Sequence, residues 1–284
     1  MPSFSAGAKT QLKAVQVNGA ELHYQDCGSG QPVVLVHGSL SDYRFWAAQV
    51  ESLSQRFRVI SYSRRYHVPN RWPDSGENYT LAVHVADLAG LIQFLGLGRV
   101  HLAGYSSGGW IAAATALEHP ELLRSLALIE PGIYSLLPDV PERAGILREN
   151  AETGERVREA LSRGDEAGAA RFILEFFLGV KTWSRLSPEI RDTLLENAPS
   201  FRAQMRASAI PSAIAGDDIR RLKTAVLLVG GESSRPEFRL ILDELERCLA
   251  NCKRVRIAGA GHGLIFEAPQ QLNKILSDFL AEQA

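Results

Sequence analysis

The sequence of 284 residues lacks the run of about 20 apolar residues that a membrane-spanning helix needs. It also lacks an excess of charge, because 31 Lys and Arg residues balance 32 Asp and Glu residues. Such a balance argues against a nucleic-acid-binding surface. The stretch from Met1 to Ala8 has no basic segment followed by an apolar one, so we predict no signal peptide. These absences predict a cytoplasmic protein with neither nucleic acid nor membrane as a partner.

Cysteine is scarce, with Cys27, Cys248 and Cys252 as its only occurrences. Three cysteines cannot all pair with one another, and none stands in a C-x-x-C motif of the metal-binding or redox kind. We therefore expect reduced thiols, as in a reducing cytosol. We also expect no bound metal and no cofactor.

Short apolar runs alternate with helical stretches along most of the chain. The predicted strands are Lys13–Val17, Glu21–Gln25, Val33–Val36, Arg58–Ser61, Val100–Ala103, Ser125–Ile129, Ala225–Val229 and Arg254–Ile257. The predicted helices are Trp46–Leu53, Thr80–Leu95 with Thr80 as its N-cap, Ser107–His119, Glu237–Ala250 and Pro269–Leu280. The first two strands flank Asn18-Gly19 and suggest a hairpin. The later alternation predicts an α/β fold with a mostly parallel sheet.

One long segment breaks this alternation. Residues 132–219 contain no strand candidate and are rich in Arg, Glu and Ala, which predicts a helical insertion between core segments 1–131 and 220–284. Within it, Leu161–Phe177 has the pattern of one amphipathic helix. Inserted between two strands, this segment is expected to cap the carboxyl ends of the sheet, where open α/β folds bind ligands.

The pentapeptide Gly104-Tyr105-Ser106-Ser107-Gly108 stands between a predicted strand and a predicted helix. A serine in G-x-S-x-G at such a turn is held at a strained corner with its hydroxyl exposed, which is typical of a nucleophile. The flanking glycines leave room where a side chain would collide with neighbouring elements. Ser106 is therefore the predicted nucleophile.

A serine nucleophile needs a base, and the base needs a carboxylate. His262, in a glycine-rich loop after the last predicted strand, is the best-placed histidine. Ser234 stands where the acid is usually expected, two residues after Glu232. Glu130, at the end of an earlier strand, is the replacement that we predict. Glu232 as the acid, and Glu130 as a hinge residue of the insertion, stay open as alternatives.

Two backbone N–H groups are candidates for binding a developing oxyanion. One belongs to Ser107, directly after the nucleophile, and the other to Ser39 in the loop that follows the strand Val33–Val36. Gly38 lets this loop turn close to a substrate. The loop from Ser61 to His67 carries bulky polar residues, which either line the mouth of a pocket or pack against the insertion.

These residues, in this order, resemble the α/β-hydrolase superfamily with a helical cap. The resemblance implies a sheet of about eight strands and a catalytic triad of Ser106, Glu130 and His262. An acid after the sixth strand is similar to haloalkane dehalogenases and to some lactone hydrolases. Dehalogenases and epoxide hydrolases use Asp as the nucleophile, and Ser106 argues against both activities.

The sequence thus predicts a serine hydrolase that cleaves an ester or lactone of a small, largely apolar substrate. Gly38, Phe177 and Trp183 are candidate substrate-binding residues, with Phe172 and Phe176 as further aromatic candidates; packing within the insertion is the competing interpretation for the aromatic ones. Carbon–carbon bond hydrolysis, cofactor-free oxygen chemistry and a non-catalytic ligand receptor are the alternatives. The sequence leaves open whether the protein forms a homodimer.

Overall fold

The computed structural model describes residues 11–207 and 213–283, and the stretch that bears on a signal peptide lies outside them. One sheet contains the eight strands β1 (Lys13–Val17), β2 (Ala20–Cys27), β3 (Pro32–Val36), β4 (Arg58–Tyr62), β5 (Val100–Tyr105), β6 (Leu123–Ile129), β7 (Ala225–Gly231) and β8 (Cys252–Ile257). Their spatial order is β1-β2-β4-β3-β5-β6-β7-β8. Strand β2 pairs antiparallel with β1 and β4, and the other pairs are parallel. The predicted mostly parallel sheet is confirmed.

Helices pack on both faces of this sheet. The helices of the described residues are α1 (Ala47–Leu53), α2 (Leu81–Phe94), α3 (Ser107–Glu118), α4 (Pro141–Ser162), α5 (Glu166–Leu178), α6 (Val180–Arg185), α7 (Pro188–Glu196), α8 (Ala198–Ala207), α9 (Gly216–Ile219), α10 (Pro236–Cys248), α11 (Leu264–Glu267) and α12 (Pro269–Glu282). Thr80 caps α2 as predicted, because its hydroxyl accepts the N–H of Val83 at 3.3 Å.

The side chains of β3 alternate between two apolar cores. Val34 and Val36 pack with α2, α3 and α10, whereas Val33 and Leu35 pack with α1 and α12. All four are completely buried. A strand covered on both faces needs apolar residues at every position, which explains its unbroken run of Val and Leu.

The segment between β6 and β7 is helical, and its described part contains no strand. The prediction of one helix over Leu161–Phe177 is wrong, because α4 ends at Ser162 and α5 begins at Glu166. Gly164 has a φ of 76°, which no regular helix contains, and the Asp165 carboxylate accepts the N–H of Gly168 at 2.8 Å as an N-cap. The apolar periodicity continues across this turn, so the sequence pattern alone predicts one helix instead of two.

Buried polar contacts connect the α7–α8 side of the insertion to the core. The Asn197 amide donates to Asp42 at 2.7 Å and accepts the N–H of Val68 at 2.9 Å. Ser200 Oγ lies 3.3 Å from Nδ1 of His67. On the α4 side, Arg235 pairs with the exposed Glu149, and Ile146 is buried in the core with residues of α10. The two sides of the insertion are therefore held by different kinds of contact.

The structure bears on two predictions, one about membrane-spanning helices and one about the cysteines. Within residues 11–207 and 213–283, no helix combines the length and the apolarity that a membrane crossing requires. No disulfide joins Cys27, Cys248 and Cys252.

Candidate active site

Ser106 occupies the sharp turn between β5 and α3. Its backbone has φ 53° and ψ −122°, a conformation that non-glycine residues rarely adopt. Four backbone hydrogen bonds hold it: its N–H donates to Ile129 at 3.0 Å, and its carbonyl accepts from Gly109 and Gly132, both at 2.9 Å, and from Trp110 at 3.3 Å. The neighbouring strand and the loop after it thus maintain the strained corner that projects the hydroxyl.

The two glycines of the pentapeptide are required by close backbone contacts. A Cβ atom on Gly104 would lie 2.4 Å from the carbonyl oxygen of Gly108. A Cβ atom on Gly108 would lie 2.3 Å from the carbonyl oxygen of Val36. Neither position can hold a larger residue without movement of the backbone, so the turn depends on glycine at both.

His262 and Glu130 are joined across the top of the sheet. His262 Nδ1 lies 3.2 Å from Glu130 Oε2, and the second carboxylate oxygen accepts the N–H of Gly231 at 2.8 Å. Glu130 is completely buried and His262 is 5% exposed. The backbone of Glu130 also has a positive φ of 47° and donates to Val229. This carboxylate is fixed from two sides and points at the imidazole.

Aromatic rings determine the orientation of His262. Its ring stacks on Phe238 with 4.0 Å between centroids and on Tyr105 with 5.0 Å. The Tyr105 hydroxyl donates to the backbone carbonyl of His262 at 2.6 Å. Burial, and next the Glu130 carboxylate, raise the pKa of Tyr105 well above its ordinary value, so the phenol keeps this proton. The imidazole is therefore held in one plane, and its Nε2 has no hydrogen-bond partner among the described residues.

The alternative acid has a different environment. Glu232 is exposed, and its carboxylate accepts the backbone N–H of Gly259 at 2.9 Å, away from the imidazole of His262. Ser234, at the usual position of the acid, has a buried hydroxyl without a hydrogen-bond partner among the described residues. The geometry thus places Glu130 beside His262 and uses Glu232 to brace a turn.

Ser39 and Ser107 lie together beside Ser106. Their hydroxyls are 3.1 Å apart, and both residues line the cavity that Ser106 faces. The N–H of Ser107 belongs to the first turn of α3, where helical N–H groups lack an intrahelical acceptor. For the N–H of Ser39 the described residues offer no acceptor. Both N–H groups thus belong to residues that line the cavity beside Ser106, and their role as oxyanion donors stays a prediction.

The loop from Ser61 to His67 is buried rather than at a pocket mouth. Arg64 is 1% exposed and His67 is completely buried, and neither lines the cavity. His67 contacts Ser200 of α8, so this part of the loop packs against the insertion. Hydrogen bonds offset part of the cost of burying these polar residues, but Tyr62 Oη and Arg64 Nε are buried without a partner among the described residues.

A cavity of about 430 Å³ separates the sheet from the insertion. Its apolar walls include Leu147, Ile173, Leu174, Phe176, Phe177 and Met205, all from the insertion, and its polar wall residues include Asn150, Thr153 and Gln204. Ser106 and His262 lie on the opposite wall. Among the described residues, no Asp, Glu, Lys or Arg lines this cavity.

The candidate substrate-binding residues lie in three different surroundings. Phe177 lines the cavity and its ring is 5.7 Å from that of His262. Trp183 packs with the apolar core of the insertion, as does Phe172, and neither lines the cavity. Gly38 lies against Tyr105 and Ser106, where a Cβ atom would come within 3.0 Å of the Tyr105 ring. We therefore assign Trp183 to packing.

Sequence reasoning missed several residues that shape the site. Phe238 and Tyr105 stack on His262, and Leu147 and Asn150 come from a helix that the sequence did not single out. The amphipathic pattern of α10 indicates that Phe238 is buried. It does not indicate that Phe238 contacts His262. In the described part of the chain, no group of three or more His, Cys, Asp or Glu side chains is suited to a metal ion.

Comparisons with known proteins agree with this architecture. A 2-hydroxy-6-oxo-2,4-heptadienoate hydrolase from Pseudomonas putida is 26% identical over 297 residues, which cover 95% of this chain and 96% of that protein. A thermophilic esterase from Thermogutta terrifontis superimposes with a TM-score of 0.80 at 26% identity, covering 96% of this chain and 99% of that structure. The enol-lactonase from Burkholderia xenovorans LB400 gives a TM-score of 0.77 at 24% identity, covering 95% and 100%, and shares the fold. The sequence model of the Alpha/beta hydrolase family matches residues 33–275, so this chain belongs to that family.

Proposed function

We propose that this protein is a serine hydrolase that cleaves an ester or lactone of a small, uncharged and largely apolar substrate. The observation that carries the proposal is the buried His262–Glu130 pair, whose imidazole lines the same cavity as Ser106, a cavity without charged side chains among its described walls. A base held by a carboxylate, next to a serine on a strained turn, is the arrangement that acyl transfer needs.

In the acylation step, Ser106 Oγ attacks the carbonyl carbon and its proton passes to Nε2 of His262. Glu130 holds the proton on Nδ1 and stabilises the resulting imidazolium. The N–H groups of Ser39 and Ser107 bind the oxyanion, and each such donor contributes about 3 kcal/mol to the barrier reduction. The C–O bond then breaks, and His262 returns the proton to the leaving alkoxide.

Deacylation uses the same groups in the reverse order. Water gives a proton to His262 Nε2 while its oxygen attacks the acyl carbon, and the oxyanion again lies between Ser39 and Ser107. Collapse of the intermediate releases the acid, and the proton on His262 returns to Ser106 Oγ. In a lactone the alcohol stays attached to the acid, so one product leaves.

The neutral cavity supports an uncharged substrate. A carboxylate buried among Leu147, Phe176 and Met205 would lose its hydration without gaining a cationic partner, which costs several kcal/mol. Apolar acyl or alcohol groups instead gain about 25 cal/mol for each Å² of surface removed from water. The insertion would act as the cap that supplies this surface.

The likeness to the Pseudomonas putida hydrolase supports a second candidate, carbon–carbon bond hydrolysis. The compound named for that relative is a carboxylate, whereas the described cavity walls here carry no Lys or Arg. A panel of neutral esters, neutral lactones and vinylogous diketone acids separates the two candidates. Hydrolysis of the diketone acids alone would favour the second.

The test of the proposed function uses turnover together with covalent labelling. Wild-type protein should hydrolyse neutral esters and react with a fluorophosphonate probe, and Ser106→Ala should lose about a thousandfold in turnover and all labelling. Ser162→Ala, which removes a hydroxyl at the end of α4 bonded to Glu159, is the control and should change neither. Absence of both turnover and labelling in the wild type would overturn the proposal and favour a ligand receptor.

A further inference from the structure

The carbonyl oxygen of Gly38 accepts an unusual number of hydrogen bonds. Nη2 of Arg64 lies 2.8 Å from it, Oγ of Ser41 lies 3.0 Å from it, and Nδ1 of His37 lies 2.8 Å from it. All three donor residues are buried. This carbonyl belongs to the same peptide group as the N–H of Ser39, the candidate oxyanion donor.

The tautomer of His37 follows from its second nitrogen. The backbone N–H of Arg64 points at His37 Nε2 at 3.0 Å, so Nε2 must be an acceptor. In a neutral imidazole the proton is then on Nδ1, which donates to the carbonyl of Gly38. Burial, followed by the charge of Arg64, lowers the pKa of His37 well below its ordinary value, which keeps the ring neutral.

Two adjacent buried arginines differ in how their charge is balanced. Arg65 is 6% exposed and forms a bidentate ion pair with Asp87, at 2.7 Å for both contacts. Arg64 is 1% exposed, and within the described chain no carboxylate lies at ion-pair distance from it. Its guanidinium instead donates to the hydroxyls of Tyr79 and Ser107 and to the Gly38 carbonyl. A buried cation without a counter-ion is costly and calls for an explanation.

We propose that Arg64, with His37 and Ser41, orients and polarises the Gly38–Ser39 peptide so that its N–H serves as an oxyanion donor. A trans peptide is planar, and its C=O and N–H point in opposite directions. Three donors on the carbonyl therefore fix the direction of the Ser39 N–H. They also draw electron density toward the carbonyl oxygen, which strengthens the N–H as a donor.

This proposal rests on the proposed function and makes Arg64 a positioning residue. The guanidinium does not line the cavity, so it acts through the Gly38–Ser39 peptide rather than on the substrate. Its positive charge becomes balanced only when negative charge forms at the oxyanion. Stabilisation that appears only in the transition state raises kcat and leaves substrate binding nearly unchanged.

The test compares Arg64→Met and Arg64→Lys with Arg65→Met. Arg64→Met should lower kcat about 100-fold, change KM less than about threefold, and weaken binding of a trifluoromethyl ketone, which forms a tetrahedral adduct, by a similar factor. Arg64→Lys should recover part of this loss. Arg65→Met, the matched control, should lower the melting temperature because it leaves Asp87 buried without its partner, while kcat stays within about threefold of the wild type.

Equal losses in adduct binding and in substrate binding, or an unchanged kcat in Arg64→Met, would overturn the proposal. If Arg64→Met does not fold, Ser41→Ala removes one donor with little change in volume, and kcat should fall about fivefold at an unchanged melting temperature; an unchanged kcat would again overturn it.

A second measurement needs no activity and separates this proposal from the proposed function. In Ser41→Ala and Arg64→Lys, the Gly38 carbonyl ¹³C resonance should move upfield as hydrogen bonds to it are lost. If this resonance does not move, the polarised peptide is refuted even in an active enzyme. If it moves in a protein without turnover or labelling, the polarised peptide stands and the proposed function fails.

Discussion

His262 Nδ1 lies 3.2 Å from Glu130 Oε2, and the strand between their two loops holds the other carboxylate oxygen through the N–H of Gly231. This carboxylate thus lies at the end of β6 and is anchored by the end of β7. In this chain the position two residues after Glu232 carries Ser234, which cannot supply a negative charge. The β7 end contributes a hydrogen-bond donor to the acid instead of the acid itself.

Glu130→Gln should lower kcat by about three to four orders of magnitude, because the amide replaces one of the two acceptor oxygens, which face Gly231 and His262, by an NH2 donor. The wrong tautomer of His262 would then face Ser106. Steady-state kinetics on a neutral ester measure this effect. Glu232→Gln is the matched control and should cost less than about threefold, since Glu232 is exposed and bonds only to a loop N–H. A large loss in Glu232→Gln with a small one in Glu130→Gln would contradict the assignment.

Gly108→Ala should abolish activity and destabilise the protein by about 2 kcal/mol or more, because its Cβ would lie 2.3 Å from the carbonyl of Val36. Gly145→Ala in α4 is the control, since no atom lies within 4 Å of the added Cβ. That helical change should stabilise the protein by up to about 1 kcal/mol. Urea denaturation and ester turnover measure both effects. Equal stability of the two variants would show that the turn tolerates a side chain.

Stability should fall as the pH drops below about 6.5. Burial lowers the folded-state pKa of His37, His67 and His84 well below the ordinary value, so between the two pKa values the unfolded chain binds more protons. Each group then contributes a slope of up to about 1.4 kcal/mol per pH unit, and its stabilisation is fully present only above the unfolded pKa. Thermal melting between pH 7 and pH 5 tests this expectation.

His84→Phe should flatten that pH dependence, because both ring nitrogens of His84 are buried without hydrogen-bond partners in the described structure. His119→Gln, on the surface beside Glu121, is the matched control and should leave the profile as it is. A melting temperature that stays constant from pH 7 to pH 5 in the wild type would disprove the assignment of neutral buried imidazoles.

The cavity should discriminate against negative charge on the substrate. A neutral hexanoate ester should be hydrolysed with a kcat/KM at least about 100-fold above that of an adipate monoester with the same alcohol, because the second carboxylate finds no cation among the described walls. Asn150→Lys adds a cation to the wall and should narrow the difference, with Asn150→Gln as its control. Comparable kcat/KM values in the wild type would argue against a neutral substrate.

Local sequence signals were sufficient to predict the parts of this site that depend on neighbours along the chain. The strands, the turn at Ser106 and the glycine loop around His262 each have a pattern within about ten residues. No local pattern predicts Glu130, because its partner His262 is distant in sequence. Its prediction depended on the order of the strands along the chain. Its contact with His262 is in the structure, and its catalytic role stays a prediction.

Other features depend on contacts that no periodicity reports. The apolar pattern around Gly164 fits a single helix. Only the structure shows that the chain turns there and that Asp165 caps a second helix. Trp183 and Phe177 are both aromatic residues of the insertion, yet one packs inside it and the other faces the cavity. The proposed role of Arg64 depends on which of the described side chains surround its guanidinium, and that is a three-dimensional property that no local sequence pattern reports.

The cavity has two rims from the insertion, one formed by α7 and α8 and the other by α4. The buried hydrogen bonds of Asn197 make the α7–α8 rim harder to move than the α4 rim. Moving the α7–α8 rim outward would strip buried hydrogen bonds from Asp42 and Val68. On the α4 rim, Arg235 pairs with the exposed carboxylate of Glu149, a kind of contact that contributes only about 0–1 kcal/mol and weakens in salt. Ile146 of the same helix is buried in the core that covers one face of the sheet. Raising the ionic strength should therefore weaken the polar contact of the α4 rim while its apolar anchor and the buried bonds of Asn197 persist.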